Sequence, residues 1–202
     1  MPGKTFFNGI ASLQQALLAL SIIVLVMLPP VIAYGSLSGS VTSFLFMVSL
    51  TAVFLVMSIR PLADLTASAW IRPLVILRKG FGVFSASIIV SFMLASVLAE
   101  GAAYATHFFS AAHWSVSTLA VLSPLGDLSA LVLLITSNQF SKRVLGSWWK
   151  RVQKLAYVYF YAGALYEWLL LGQGFAFWYL LIVTVLVLLA FVKKRFARAT
   201  TL

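Results

Sequence analysis

Uninterrupted apolar stretches of about 20 residues alternate along the chain with short polar segments, and a helix of that length rises through the ~30 Å hydrocarbon layer of a bilayer. Six such stretches are present: Leu13–Tyr34, Val41–Ile59, Phe81–Gly101, Ser117–Ile135, Val152–Leu171 and Phe175–Val192. The pattern predicts an all-α fold, a polytopic membrane bundle of about six transmembrane helices forming a single domain over residues 1–202. No linker separates two domains, and no inverted repeat of the transporter kind is present. The sizeable connections are Arg60–Gly80, Ala102–Val116 and Thr136–Arg151. The first stretch follows a single lysine. It is longer than a signal-peptide core and ends in Pro29-Pro30 rather than a small-residue cleavage site, so it is expected to be a membrane helix.

Composition strengthens this reading: 62% of the 202 residues are hydrophobic and 9% charged, far outside the soluble range. The net charge of +10 would suggest nucleic acid in a soluble protein, but the location of the basic residues decides otherwise. Lys4, then Arg60, Arg72, Arg78 and Lys79, then Lys142, Arg143, Lys150, Arg151 and Lys154, then Lys193, Lys194, Arg195 and Arg198 all fall on one side when the six spans are threaded in order. The opposite connections carry none. The positive-inside rule makes the basic side, with both termini, cytoplasmic; the charge is topological, and no nucleic-acid partner is expected. The 142–154 cluster suits anionic lipid or an acidic soluble partner. Cysteine is absent, which excludes disulfides, thiolate metal sites and thiol catalysis.

Small residues let helices approach closely in lipid. The third stretch, with Gly80, Gly82, Ser85, Ala86, Ser87, Ser91, Ala95, Ser96, Ala99 and Gly101, is expected at the centre. Trp148, Trp149, Tyr157, Tyr159, Tyr161, Trp168, Trp178 and Tyr179 read as an interfacial aromatic belt. Asp127 falls near the middle of the fourth stretch, where an ionised carboxylate costs about 2.5 to 3.5 kcal/mol or more. It reads either as a proton-accepting or partner-binding group or as a neutral, hydrogen-bonded acid at a bend near Pro124 and Gly126. Glu100 and Glu167 are placed at the outer helix ends, as solvated carboxylates or as members of a polar site with His107 and His113. The spacing of those two histidines matches no metal template.

The run Thr136-Ser137-Asn138, followed by Arg143, Leu145-Gly146, Trp149-Lys150, Leu155 and Tyr157, resembles without a gap a stretch of the ferric reductase-like transmembrane superfamily. The pattern is most similar to that of the haem-binding membrane subunits of bacterial periplasmic methionine sulfoxide reductase systems. Arg78-Lys79, Gly82 and Glu100-Gly101 add a weaker match. The resemblance implies a multi-pass protein of the bacterial inner membrane and b-type haem held by histidines on the third and fifth helices. Carried over position by position, those histidines become Phe92, Gln153 and Tyr166 here, so the resemblance implies the fold with its haem ligands replaced.

Three functions follow as expectations. The first is a haem-free subunit or scaffold of a larger redox or energy-converting complex, partnered by another membrane or periplasmic protein and needing no cofactor. The second is a b-type cytochrome relaying electrons from quinol or flavin to a periplasmic reductase. The third is a small transporter or proton-handling protein using Asp127. A Soret band separates the first two, and Asp127-dependent flux marks the third. No catalytic residue is assigned, because no nucleotide-binding motif and no nucleophile with a base is present.

Overall fold

The computed structural model describes residues 3–35 and 37–199, with side chains through Phe196. Ser36, in the first connection expected to be outer, and the side chain of Arg198, in the last basic cluster, lie outside the described residues. The secondary structure is helical throughout: α1 Lys4–Tyr34, α2 Gly39–Thr66, α3 Leu77–Glu100, α4 Ala102–Phe108, α5 Leu122–Thr136, α6 Gln139–Leu145, α7 Trp149–Val152, α8 Leu155–Leu169 and α9 Gly174–Ala199. Short 3-10 turns cover Arg72–Ile76 and Gly146–Trp148.

Four of these segments are long and apolar enough to cross a membrane: α1, α2, Arg72–Glu100 with α3, and α9. The other two expected spans are shorter. Helices α5 and α8 have 15 residues each, about 22 Å at 1.5 Å per residue, less than the ~30 Å layer. The reasons are local. Gly101 and Leu119 have positive φ, 58° and 59°, so the chain turns repeatedly between α3 and α5. Pro124 sits in the first turn of α5, where a missing N–H costs nothing. At the other end, Gln153 and Lys154 form a turn between α7 and α8. The connection expected over Ala102–Val116 folds its first part into α4.

Named contacts give the helix directions. Gly80 lies against Leu17, and the Ser91 hydroxyl donates to the Val24 carbonyl at 3.3 Å, so α1 and α3 run parallel. Ser49 meets Ser85, and Arg78 Nε donates to the Val56 carbonyl, so α2 is antiparallel to α3. Gln153 meets Thr136, and Gly163 meets Gly126, which makes α5 and α8 an antiparallel pair. Lys193 Nζ donates to the backbone carbonyls of Asp64 and Leu65 at 3.3 and 2.6 Å, joining the ends of α9 and α2. All described lysines and arginines therefore gather at one end, called here the basic end.

The expectation that α3 is central holds: it packs on α1, α2, α4 and α5. Its Gly80, Ser85, Ala86, Ser87, Ser91 and Ala95 are buried. The core runs through Leu50, Val53 and Met57 of α2, Ala86 and Val90 of α3, Ala130 of α5, Phe160 and Ala164 of α8, and Ala176 and Val183 of α9. Small residues at so many core positions allow the backbone proximity that packing in lipid relies on.

Candidate functional site

Helices α3, α5 and α8 converge away from the basic end around a cavity of about 250 Å³, closed over by α4 and the turns after it. One face of α8 supplies Tyr159, Gly163, Tyr166 and Glu167, spaced by whole helical turns. Helix α5 contributes Ser123, Gly126 and Asp127, and α3 contributes Phe92, Met93, Ser96 and Glu100. Gly126 sits close to Gly163: a Cβ built on it would stand 3.9 Å from the Gly163 nitrogen. This tight crossing brings Asp127 and the Glu167 turn to the same space.

The acids differ from one another. Glu100 is exposed at the mouth, with its Oε2 3.9 Å from His107 Nδ1. Asp127 is partly buried and accepts a hydrogen bond from the Ser123 hydroxyl at 3.3 Å, four residues earlier on the same helix. It is the sixth of the 15 residues of α5, two residues short of the middle, and the expected bend at Pro124 is instead the first helical turn. Of the two readings of Glu167, solvated carboxylate or member of a polar site with the histidines, the first does not hold: it is 5% exposed, its Oε2 has no hydrogen-bond partner, and it lines the cavity with His107 and His113. Helix α9 begins only five residues after α8 ends, and in that hairpin the Gln173 amide donates to the Glu167 backbone carbonyl at 2.9 Å.

The two histidines line the mouth, ring centroids 5.4 Å apart and planes at 52°. Burial lowers the His113 pKa from its ordinary value, with a smaller contribution from His107. Tyr104, on α4, has its hydroxyl pKa raised by burial and then by Asp127 and Glu100. Beneath the cavity, the Tyr159 hydroxyl hydrogen-bonds with Ser85 at 2.6 Å and Ser49 at 3.0 Å, and the two serines bond each other at 3.0 Å. Tyr159 is 5% exposed, so it is no belt residue, unlike Trp148 and Trp178 at 61% and 59%.

No family model, curated protein or solved structure matches the chain.

The three positions that the resemblance gives to haem histidines carry no imidazole, and two of them, Phe92 and Tyr166, line the cavity. Phe92 offers no donor and stacks on Phe46, centroids 4.7 Å apart. The Gln153 side chain donates from Nε2 to Thr136 Oγ1 at 3.3 Å, at the opposite end of α8 from Glu167. Tyr166 lines the cavity with Phe92, but no lysine or arginine lines it to support a phenolate ligand. Among the described residues no group of three or more acidic or histidine side chains is placed to hold a metal ion.

The residues carrying the resemblance form a structural knot. Trp149 Nε1 donates to the Thr136 carbonyl at 3.0 Å, Ser137 donates to the Leu133 carbonyl, and Asn138 caps α6 by accepting from the Ser141 amide at 2.7 Å. Gly146 ends α6 at φ 51°, a conformation that favours glycine. Arg143, Lys150 and Tyr157 are exposed at the basic end, away from the cavity. Residue-type reasoning overlooked Tyr159, Tyr104 and Ser123. The signal for Tyr159 was present: it shares a helical stripe with Gly163 and Tyr166-Glu167.

Proposed function

We propose that this chain is a haem-free, multi-pass subunit of a bacterial cytoplasmic membrane, of ferric reductase-like architecture. It has six crossings and cytoplasmic termini, and it serves a larger redox or energy-converting complex. The observation that carries the reading is the lining of the space between Phe92 and Tyr166, which is small and offers no imidazole at either position. Stacked rings and a 250 Å³ void stand where the resemblance places a porphyrin, and that volume falls below the roughly 300–1,000 Å³ of pockets for larger ligands. The six-crossing arrangement draws support from α8, whose Tyr159 bonds to Ser49 and Ser85 in the interiors of α2 and α3. Such a contact suits a helix lying within the bilayer alongside them.

The basic end fits a cytoplasmic, anionic-lipid surface. Arg151 lies 4.4 Å from the Trp148 ring centroid and Lys142 lies 5.5 Å from that of Trp149, pairing cations with interfacial aromatics. Outside the membrane, the exposed Phe109 and Val116 beside the cavity mouth offer a place for a partner subunit. The test is haem content. Protein expressed with ample haem and purified in mild detergent should show no Soret band and well under one haem per chain in a pyridine haemochrome assay. One or two haems per chain would make it a b-type cytochrome instead.

A further inference from the structure

The carboxyl oxygen Glu167 Oε2 is buried without a hydrogen-bond partner. Buried polar atoms left open in this way are uncommon and need an explanation. The cavity gives this one a distinct setting. Asp127 lines the same space, and no lysine or arginine does; the described lysines and arginines all lie at the other end of the bundle, and the two histidines stand at the mouth. A carboxylate there has no lysine or arginine as a countercharge, and His107 at the mouth already faces Glu100 at 3.9 Å, so either a proton or an incoming cation completes the site.

The rest of the lining selects among cations. Phe46 and Phe92 are stacked, and Tyr104, Phe108 and Tyr166 add three more rings. Aromatic faces attract ammonium groups and cover apolar bodies, whereas a bare metal ion needs several oxygen or nitrogen ligands converging on one point, and no such cluster is present among the described residues. At the mouth, the exposed Glu100 favours approach of positive charge.

We propose that the cavity binds a small amphiphilic organic ammonium ion, its charged head at Glu167 and Asp127 and its apolar body against the Phe46–Phe92 stack. The ammonium belongs to a free amine rather than to an ethanolamine lipid, whose phosphate would be drawn in beside two carboxyl groups. The proposal rests on the haem-free reading, since a porphyrin between Phe92 and Tyr166 would occupy the same space.

Isothermal titration of phenethylammonium into the purified full-length chain in the uncharged detergent dodecyl maltoside tests it, with 2-phenylethanol as a neutral analogue of the same shape. Saturable ammonium binding is expected, about tenfold or more tighter than the alcohol. Glu167→Gln and Asp127→Asn should each weaken the ammonium by a similar factor while leaving the alcohol unchanged. Equal affinity for amine and alcohol, or no saturable binding by monodisperse wild-type protein, overturns the proposal without recourse to either variant. Displacement of the probe by added phosphatidylethanolamine would overturn the free-amine assignment in favour of a lipid headgroup. The absorbance of the same sample separates the two ideas: a Soret band defeats the haem-free reading, whereas a colourless protein that binds no amine defeats this inference alone.

Discussion

At the scale of single residues, Ser58 Oγ and Glu167 Oε2 are buried without a hydrogen-bond partner, whereas other hydroxyls of the bundle are satisfied in two distinct ways. Ser21, Thr51 and Ser91 donate back to carbonyls one turn earlier, at 2.7 Å each, which costs little and needs no tertiary partner. Tyr159, Ser49 and Ser85 instead satisfy one another across three helices. Tyr159→Phe keeps the ring and removes only the hydroxyl, leaving the serines bonded to each other. The expected cost is about 0.5–1.5 kcal/mol, because hydrogen bonds between membrane helices are individually modest. Unfolding in a dodecyl sulfate titration measures it. A cost near zero would mean that the serine pair closes without the tyrosine, and a loss of folding would mean that the ring itself is displaced.

At the scale of the element, α3 is the helix against which α1, α2, α4 and α5 pack. Its Gly80 lies beneath α1, where an added Cβ would stand 3.1 Å from Leu17 Cδ1, 3.2 Å from Leu17 Cβ and 3.5 Å from the Gln14 carbonyl oxygen. A leucine side chain can yield a few tenths of an ångström. Gly80→Ala should therefore change stability by less than about 1 kcal/mol, part of it favourable through helix propensity. Gly80→Val adds two further methyls against the α1 backbone and should destabilise by about 1–3 kcal/mol. The same unfolding titration compares them. Equal stability of the two variants would show that α1 rides loosely on α3.

At the scale of the whole molecule, the question is how many times the chain crosses. Four long helices alone, α1, α2, α3 and α9, form a consistent up-and-down path. That path leaves everything from Ala102 to Gln173 on one side of the membrane, Lys150 included. Six crossings return Lys150 to the side of Lys4. Reporter fusions at Lys4, Arg72, Lys150, Lys194 and His113 distinguish the paths: the first four are expected in the cytoplasm and His113 outside, because the lysine and arginine asymmetry favours that orientation. An external Lys150 would establish the four-crossing path and make α5 and α8 a pair entering from the outer face.

Hydropathy, small-residue content and the placement of basic residues are properties of the chain read in one dimension. They were enough for an all-helical protein with long apolar helices, a central α3 and a basic end, since a helix satisfies its own backbone and presents its composition directly to lipid. Helix ends were less legible. Leu119 at positive φ and the turn at Gln153-Lys154 shorten α5 and α8, and no apolar count registers them. The candidate site was legible only as separate residues: Asp127, Glu100, Glu167, His107 and His113 stood out by type, whereas Tyr159 passed for an interfacial aromatic. Bringing them to one cavity depends on Gly126 meeting Gly163 and on α4 folding over the mouth, contacts between residues far apart in sequence. Glu167 likewise takes its burial from the packing of its helix, beside a cavity shared with α3, α4 and α5. A carboxyl group near a helix end is solvated or enclosed according to what packs over it, and that is settled by tertiary structure alone.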